Sequence, residues 1–232
     1  ATHVINTYVE TAGAIAINAD HVIDSTIARF GEVGIRGAES VSGTVIDNEL
    51  GGGSGKALEN FKGDSLNGMT ISNVETGVGI RPGDLTVDGS LFENIESNAI
   101  TFNNLGSIYV VDSVFRNYGF GENSGSLDSA AIAGQKKFSS AENVEISEST
   151  VFDSNNGNPG FFETVHTGTV QYFDSGKSSA EVEAMAGQGG ASSSAPAPVD
   201  PPNDAGDAPV PPADDPADND GAQDSGSGTP PE

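Results

Sequence analysis

Val87-Asp88-Gly89-Ser90-Leu91-Phe92-Glu93-Asn94 and, after one loop, Val110-Val111-Asp112-Ser113-Val114-Phe115-Arg116-Asn117 are the stretch whose reading decides the fold. Both follow one eight-residue phrase. It runs apolar, variable, then Asp, Asn or Gly, then usually Ser or Thr, variable, apolar, variable and often Asn. Working outward, the phrase starts again at Val4 (VINTYVET), Val22 (VIDSTIAR), Val41 (VSGTVIDN) and Leu66 (LNGMTISN). Ile146 opens a looser copy (ISESTVFD), and Val165 to Tyr172 a weak eighth. The first seven starts are 18, 19, 25, 21, 23 and 36 residues apart. Such spacing suits one short repeat unit with loop insertions better than a helical or heptad period.

A second apolar point follows each phrase: Ala14-Ile15, Gly34-Ile35, Gly79-Ile80, Ala99-Ile100 and Ala131-Ile132, with Ala57-Leu58 a poorer match. Each repeat thus offers two or three strands of a few residues, bounded by Gly, Asn and Asp. Strands this short cannot bury their apolar side alone, so the repeats are expected to stack, with like residues laddered inside. Asn48, Asn73, Asn94 and Asn117 hold the same place in four consecutive repeats. Asn tolerates left-handed backbone at a corner, and stacked amides can bond from one repeat to the next, so these four read as structural.

These phrases resemble the repeats of right-handed parallel β-helix proteins, the pectate-lyase-like superfamily, over about residues 3 to 173. The resemblance implies an all-β solenoid of about seven coils, ending in an acidic, Pro- and Asp-rich tail. The superfamily includes polysaccharide lyases, glycoside hydrolases, epimerases, viral tailspikes, adhesins and catalytically silent surface proteins, so fold alone leaves function open. Its usual N-terminal cap helix is missing ahead of Val4. That end is therefore expected to be covered by missing coils, a partner or an oligomer, since a naked first coil exposes core and strand edge.

Composition sets the domain plan. Residues 1–175 hold 23 acidic and 8 basic residues and build the folded domain, while 176–232 hold 11 acidic residues and Lys177 alone. From Gly176 the chain reads as Gly, Ser and Ala and then as Pro-Asp blocks, a disordered linker by composition. Within it Glu181 to Ala186 can form a turn of helix, with nothing evident to sustain it. A net charge of −25 repels nucleic acid and anionic membranes, which are bound through Lys and Arg. No apolar run reaches the ~18 residues of a transmembrane helix. Many carboxylates, few lysines and no cysteine resemble the proteins of halophilic archaea, and an extracellular or cell-surface location follows as the expectation.

Two clusters carry candidate chemistry. Arg36 and Arg81 follow the second apolar point in coils two and four, with Glu59 in the equivalent place between them. The superfamily's lyases use Arg or Lys as base and often Ca²⁺ held by carboxylates. By that resemblance Arg36 or Arg81 is the catalytic candidate, Arg36, Glu59 and Arg81 are the grip for an acidic sugar chain, and Ca²⁺ is the implied cofactor. The other reading of the strip, and the preferred one, is a surface ion-pair ladder. Asp20, His21 and Asp24 lie together, with His3 one coil below His21, and are the candidate metal ligands. A solvated turn is the preferred reading, because the pattern lacks a third clear ligand and tight ligand spacing. Asp112, Asp88, Asp84 and Asp64 form a weaker oxygen-ligand set without the calcium-loop pattern. Lys136-Lys137 and His166 read as surface.

The sequence therefore supports a secreted or cell-surface β-helix module for glycan binding or for structural display and adhesion. A polysaccharide lyase, or a related carbohydrate-active enzyme on acidic polysaccharide, is the alternative. Polysaccharide or a cell-surface glycan is the expected partner.

Overall fold

The computed structural model describes residues 2–10, 13–49, 55–80, 83–121, 130–134, 140–155, 158–160 and 170–186. The chain divides into two compact units, residues 1–195 and 196–232, and every described residue belongs to the first.

Each repeat folds as one coil of three short strands. Coil one holds β1 (His3–Ile5), β2 (Tyr8–Val9) and β3 (Ile15–Asn18), and coil two β4 (His21–Ile23), β5 (Thr26–Ile27) and β6 (Val33–Arg36). Coil three holds β7 (Ser40–Ser42), β8 (Val45–Asp47) and β9 (Lys56–Phe61), and coil four β10 (Ser65–Asn67), β11 (Thr70–Val74) and β12 (Thr76–Ile80). Coil five holds β13 (Gly83–Asp88), β14 (Leu91–Ile95) and β15 (Ile100–Phe102), and coil six β16 (Asn104–Val111), β17 (Val114–Tyr118) and β18 (Ile132–Gly134). Coil seven contributes β19 (Ser140–Ser147) and β20 (Val151–Asp153), coil eight β21 (Val170–Phe173), and helix α1 (Ser179–Ala186) follows.

Strands of the same rank pair between coils, in parallel throughout. The first sheet runs β1-β4-β7-β10-β13-β16-β19-β21, the second β2-β5-β8-β11-β14-β17-β20, and the third β3-β6-β9-β12-β15-β18. Three all-parallel sheets built this way are consistent with a β-helix solenoid. Among the described residues no helix is long and apolar enough to cross a membrane.

The eight-residue phrase explains the stack position by position. Its first residues stand in register as Val4, Val22, Val41, Leu66, Val87, Val110 and Ile146. The sixth residues form a second ladder, Val9, Ile27, Ile46, Ile71, Phe92 and Phe115, continued by Phe152. Ile17, Ile35, Leu58, Val78, Ile100 and Ile132 form the third. From Val22 to Phe115 these side chains are buried in one core. The rings of Phe92, Phe115 and Phe152 stack at 4.9 and 5.0 Å.

The third position turns the corner between the first two sheets. Asn6, Asp24, Gly43, Gly68, Gly89 and Asp112 all have φ between 45° and 60°. This left-handed region is open to Gly and tolerated by Asn and Asp, which is why the position admits only those types. The Ser or Thr that follows closes the corner. Its hydroxyl donates to the carbonyl two residues back, at 3.1 Å from Thr7, 2.9 Å from Ser25, 3.0 Å from Thr44 and Ser90, and 2.8 Å from Ser113. The same oxygen accepts a backbone N–H from the coil below, as Ser25 does from Thr7, Ser90 from Met69 and Ser113 from Ser90. One hydroxyl thus satisfies two backbone groups that a tight corner would leave unpaired.

The asparagine ladder holds for three of its four members. Asn117 donates its amide to Asn94 (2.7 Å), Asn94 to Asn73 (3.1 Å), and all three have left-handed φ. Asn48 departs from it. It is fully buried, and its Oδ1 accepts the N–H of Phe30, so the amide of Asn73 reaches Asp47 instead, at 2.8 Å.

Three further expectations need correction. In the third sheet Ile17, not Ile15, stands beside Ile35, and Val78, not Ile80, stands beside Leu58. The eighth copy in register starts at Tyr172, 26 residues after Ile146, with Asp174 and Ser175 at its third and fourth positions. The helix expected to lack support runs two turns and buries Val182 and Ala186 against Leu91 and Val114, with Val151 packed beside them. The described body therefore continues past residue 175. Lys136-Lys137, Val165, His166 and the tail from residue 187 lie outside the described residues.

Candidate functional site

Arg36 ends β6 and Glu59 lies in β9, in direct register. Arg36 Nη2 and Nε both reach Glu59 Oε2 at 2.8 Å, and Lys56 Nζ reaches Oε1 at 3.1 Å. Partial burial pushes the Glu59 carboxyl up, but the bonds and charges of Lys56 and Arg36 outweigh it and hold it below the usual range. Both oxygens of Glu59 are thus engaged by cations, and the Arg36 guanidinium is committed to that carboxylate. That arrangement suits an ion-pair ladder rather than a proton-abstracting base.

The next strand of the strip, β12, changes register against β9. Asn60 takes a left-handed φ of 56°, and the pairing shifts, so that Val78 faces Leu58 while Ile80 faces Phe61. No residue of β12 is thus in regular register with Glu59, and Gly79 pairs onward with Thr101. Arg81 lies outside the described residues. A second ion pair crosses the second sheet, where Arg116 Nη1 meets Glu93 Oε1 at 3.5 Å.

Among the candidate metal ligands, the imidazoles stand as the repeat places them. His3 and His21 are paired in register, and their rings stack with centroids 4.6 Å apart. His21 Nδ1 lies 2.9 Å from Ser40 Oγ, continuing outward along the first sheet. Asp20 instead accepts the backbone N–H of Thr2 at 2.7 Å, which is the main reason its pKa lies below the ordinary value. Asp24 occupies the left-handed corner beyond β4. Among the described residues no three His, Asp or Glu side chains gather as metal ligands. The acidic set expected for Ca²⁺ does not gather either. Asp84 accepts the N–H of Ser107 at 2.9 Å, and Asp112 is committed elsewhere.

Asp112 is the centre of a cluster that sequence reasoning missed. It is a corner residue only 5 % exposed. Its Oδ1 accepts from Ser149 and Ser175, each at 2.6 Å, and its Oδ2 accepts from Lys177 at 2.5 Å. Its own N–H donates to Ser147 Oγ at 2.9 Å. Burial pushes this carboxyl up, yet the bonds from Lys177, Ser149 and Ser175 prevail and hold it below the usual carboxylate range. Lys177 is raised in turn, chiefly by its bond to Asp112. The signal was present: Tyr172-Phe173-Asp174-Ser175 repeats the first half of the phrase, and Lys177 is the one cation of the tail.

Chemically, these sites neutralise and fasten. Glu59, Glu93 and Asp112 are paired to cations or hydroxyls, and Asn94 to the amides on either side of it. No protein-family model matches the chain, and no curated protein and no solved structure matches it.

Proposed function

We propose that the chain is a right-handed parallel β-helix module of a secreted or cell-surface protein, serving as a stiff display or adhesion element that contacts glycans. The handedness follows from the strong preference of parallel crossover connections for the right-handed sense. The observation that carries the role is where the polar side chains go. Asn73, Asn94 and Asn117, Arg36 with Glu59, and Glu93 with Arg116 all bond along the stack, from coil to coil. Such bonds tie successive coils into one body and favour stiffness over a reactive cleft. The acidic surface suits concentrated salt, where carboxylates keep a protein hydrated and soluble.

The test is incubation of the full chain with a panel of acidic and neutral polysaccharides in high salt, recording retention on each polymer and ultraviolet absorbance together. Retention on at least one polymer without absorbing product is expected. Absence of retention removes glycan binding and leaves display. Growth of unsaturated product that is lost in Arg36→Ala overturns the proposal in favour of a lyase.

A further inference from the structure

Helix α1 lies on the outside of the stack, not within it. In the second sheet the outward positions carry Tyr8, Thr26, Val45, Thr70, Leu91, Val114 and Val151, alternating with the inward ladder. Leu91, Val114 and Val151 form an apolar stripe over coils five to seven, and Val182 and Ala186 pack on that stripe as a cluster separate from the main core. Just ahead of the helix, Lys177 reaches back to Asp112 in coil six, and Ser175 joins the same carboxylate. Ser178 caps the helix, with its N–H and hydroxyl on Glu181 Oε2 at 2.8 and 2.7 Å. Nine residues, Ser178 to Ala186, are thus fixed by an ion pair at one end and an apolar contact along their length.

We propose that Lys177 and helix α1 form a latch, which closes on the outer face of coils five to seven and holds the Lys177–Ser178 bond in a fixed backbone that trypsin-like proteases cut slowly. The geometry gives the latch two properties. Its apolar part is not continuous with the main core, so it can open while the coils stay folded. Its ionic part ends on a buried carboxylate that also takes two serine hydroxyls, so salt weakens it less than it weakens an exposed pair. Lys177 is also the last basic residue of the chain, so cleavage after it frees residues 178–232 as one fragment. Lys177 and Ser178 are exposed while their backbone is held, so opening uncovers the stripe and frees the cleavable bond to enter a protease's cleft together.

Limited trypsin digestion of the full chain, read by mass for fragment 178–232, tests this against a synthetic peptide of residues 172–186. The wild type is expected to be cut at Lys177 at least about tenfold more slowly than the peptide, because cleavage requires local unfolding. Val182→Asp and Asp112→Asn are expected to restore much of the lost rate, with near-ultraviolet circular dichroism unchanged. Cleavage of the wild type at the peptide's rate overturns the latch, as does protection that neither variant reduces. Hydrogen exchange of the wild type covers the case in which a variant unfolds the stack. Amides of Val182 to Ala186 exchanging faster than those of Phe92 and Phe115, but more slowly than the peptide's, support separate opening. Exchange equal to either limit contradicts it.

Discussion

Coil six and coil one are written in the same phrase and pack very differently. In coil six Val110, Val114 and Phe115 are completely buried, and β17 runs five residues. In coil one Ile5 is 52 % and Tyr8 48 % exposed, Val4 and Val9 are only partly covered, and β2 runs two residues. The corner chemistry is the same in both, since Asn6 and Asp112 share the left-handed backbone. Local sequence thus sets the turn, while burial comes from what packs against each face: neighbouring coils over Val110 and Phe115 inside, and helix α1 over Val114 outside. Stability in such a stack resides in interfaces between neighbours more than in any coil alone.

Charge placed in the two coils should separate them most sharply. Phe115→Asp puts an unpaired carboxylate between Phe92 and Phe152 and is expected to cost about 4 kcal/mol or more, enough to unfold most molecules. Tyr8→Asp, at a half-exposed site, is expected to cost less than about 1 kcal/mol. Denaturant unfolding of both variants checks the contrast, and equal losses would break it.

Next in size is the amide ladder. Asn94→Ala removes bonds to both Asn73 and Asn117 and leaves a β-carbon in left-handed backbone, for an expected loss of about 1–3 kcal/mol. Asn94→Gly relieves the backbone part and should recover some of it. If alanine and glycine behave alike, the backbone contributes nothing there.

Acid and alkali should act on named groups. Asp112 is lowered from its ordinary 3.8, so its contribution is complete above that value and is lost as pH falls through the lower folded value. Asp112→Asn should flatten that acid limb of the unfolding curve. Tyr118 is pushed up to about 12, mainly by burial, so the stability it supplies is complete below pH 10 and declines as pH rises toward that value. Its hydroxyl donates to the carbonyl of Asn158 at 3.2 Å. A phenolate absorbance step near pH 12 that vanishes in Tyr118→Phe is the expected outcome.

The smallest effect is predicted at Arg36→Ala. Its pair with Glu59 is partly exposed, so the expected loss is under about 1 kcal/mol and shrinks in high salt. A large loss independent of salt would mean that the ion-pair strip matters as much to the stack as the amide ladder.

Much of this architecture was legible in the sequence because two of the three ladders are spaced by fixed corners. Positions one and six of the phrase bracket a left-handed residue and a hydroxyl that only a few residue types can supply. The third ladder was misread where coils vary in length. The left-handed Asn60 puts one more residue in β9 between Leu58 and Phe61 than β12 has between Val78 and Ile80, and no composition signal marks that shift. Asn48 was misplaced because the type at its position was right while its amide turns inward to Phe30. The Asp112 cluster was missed because its partners, Ser149, Ser175 and Lys177, are brought together by stacking and lie up to 65 residues away in sequence. Only the half phrase from Tyr172 to Ser175, with Lys177 two residues beyond it, marked where those partners come from.

The register of the phrase is the claim on which the rest stands, and a chain without cysteine allows a clean test of it. Ser65 and Thr86 face each other across coils four and five, on the outward side of Leu66 and Val87. Directly paired positions lie about 4.8 Å apart, within the span a disulfide bridges, while a partner two residues along lies about 7–8 Å away. Oxidation of Ser65→Cys with Thr86→Cys should give a bridged, folded monomer, and Ser65→Cys with Asp88→Cys should stay reduced. Bridging in the second pair and not in the first would contradict the stack as described.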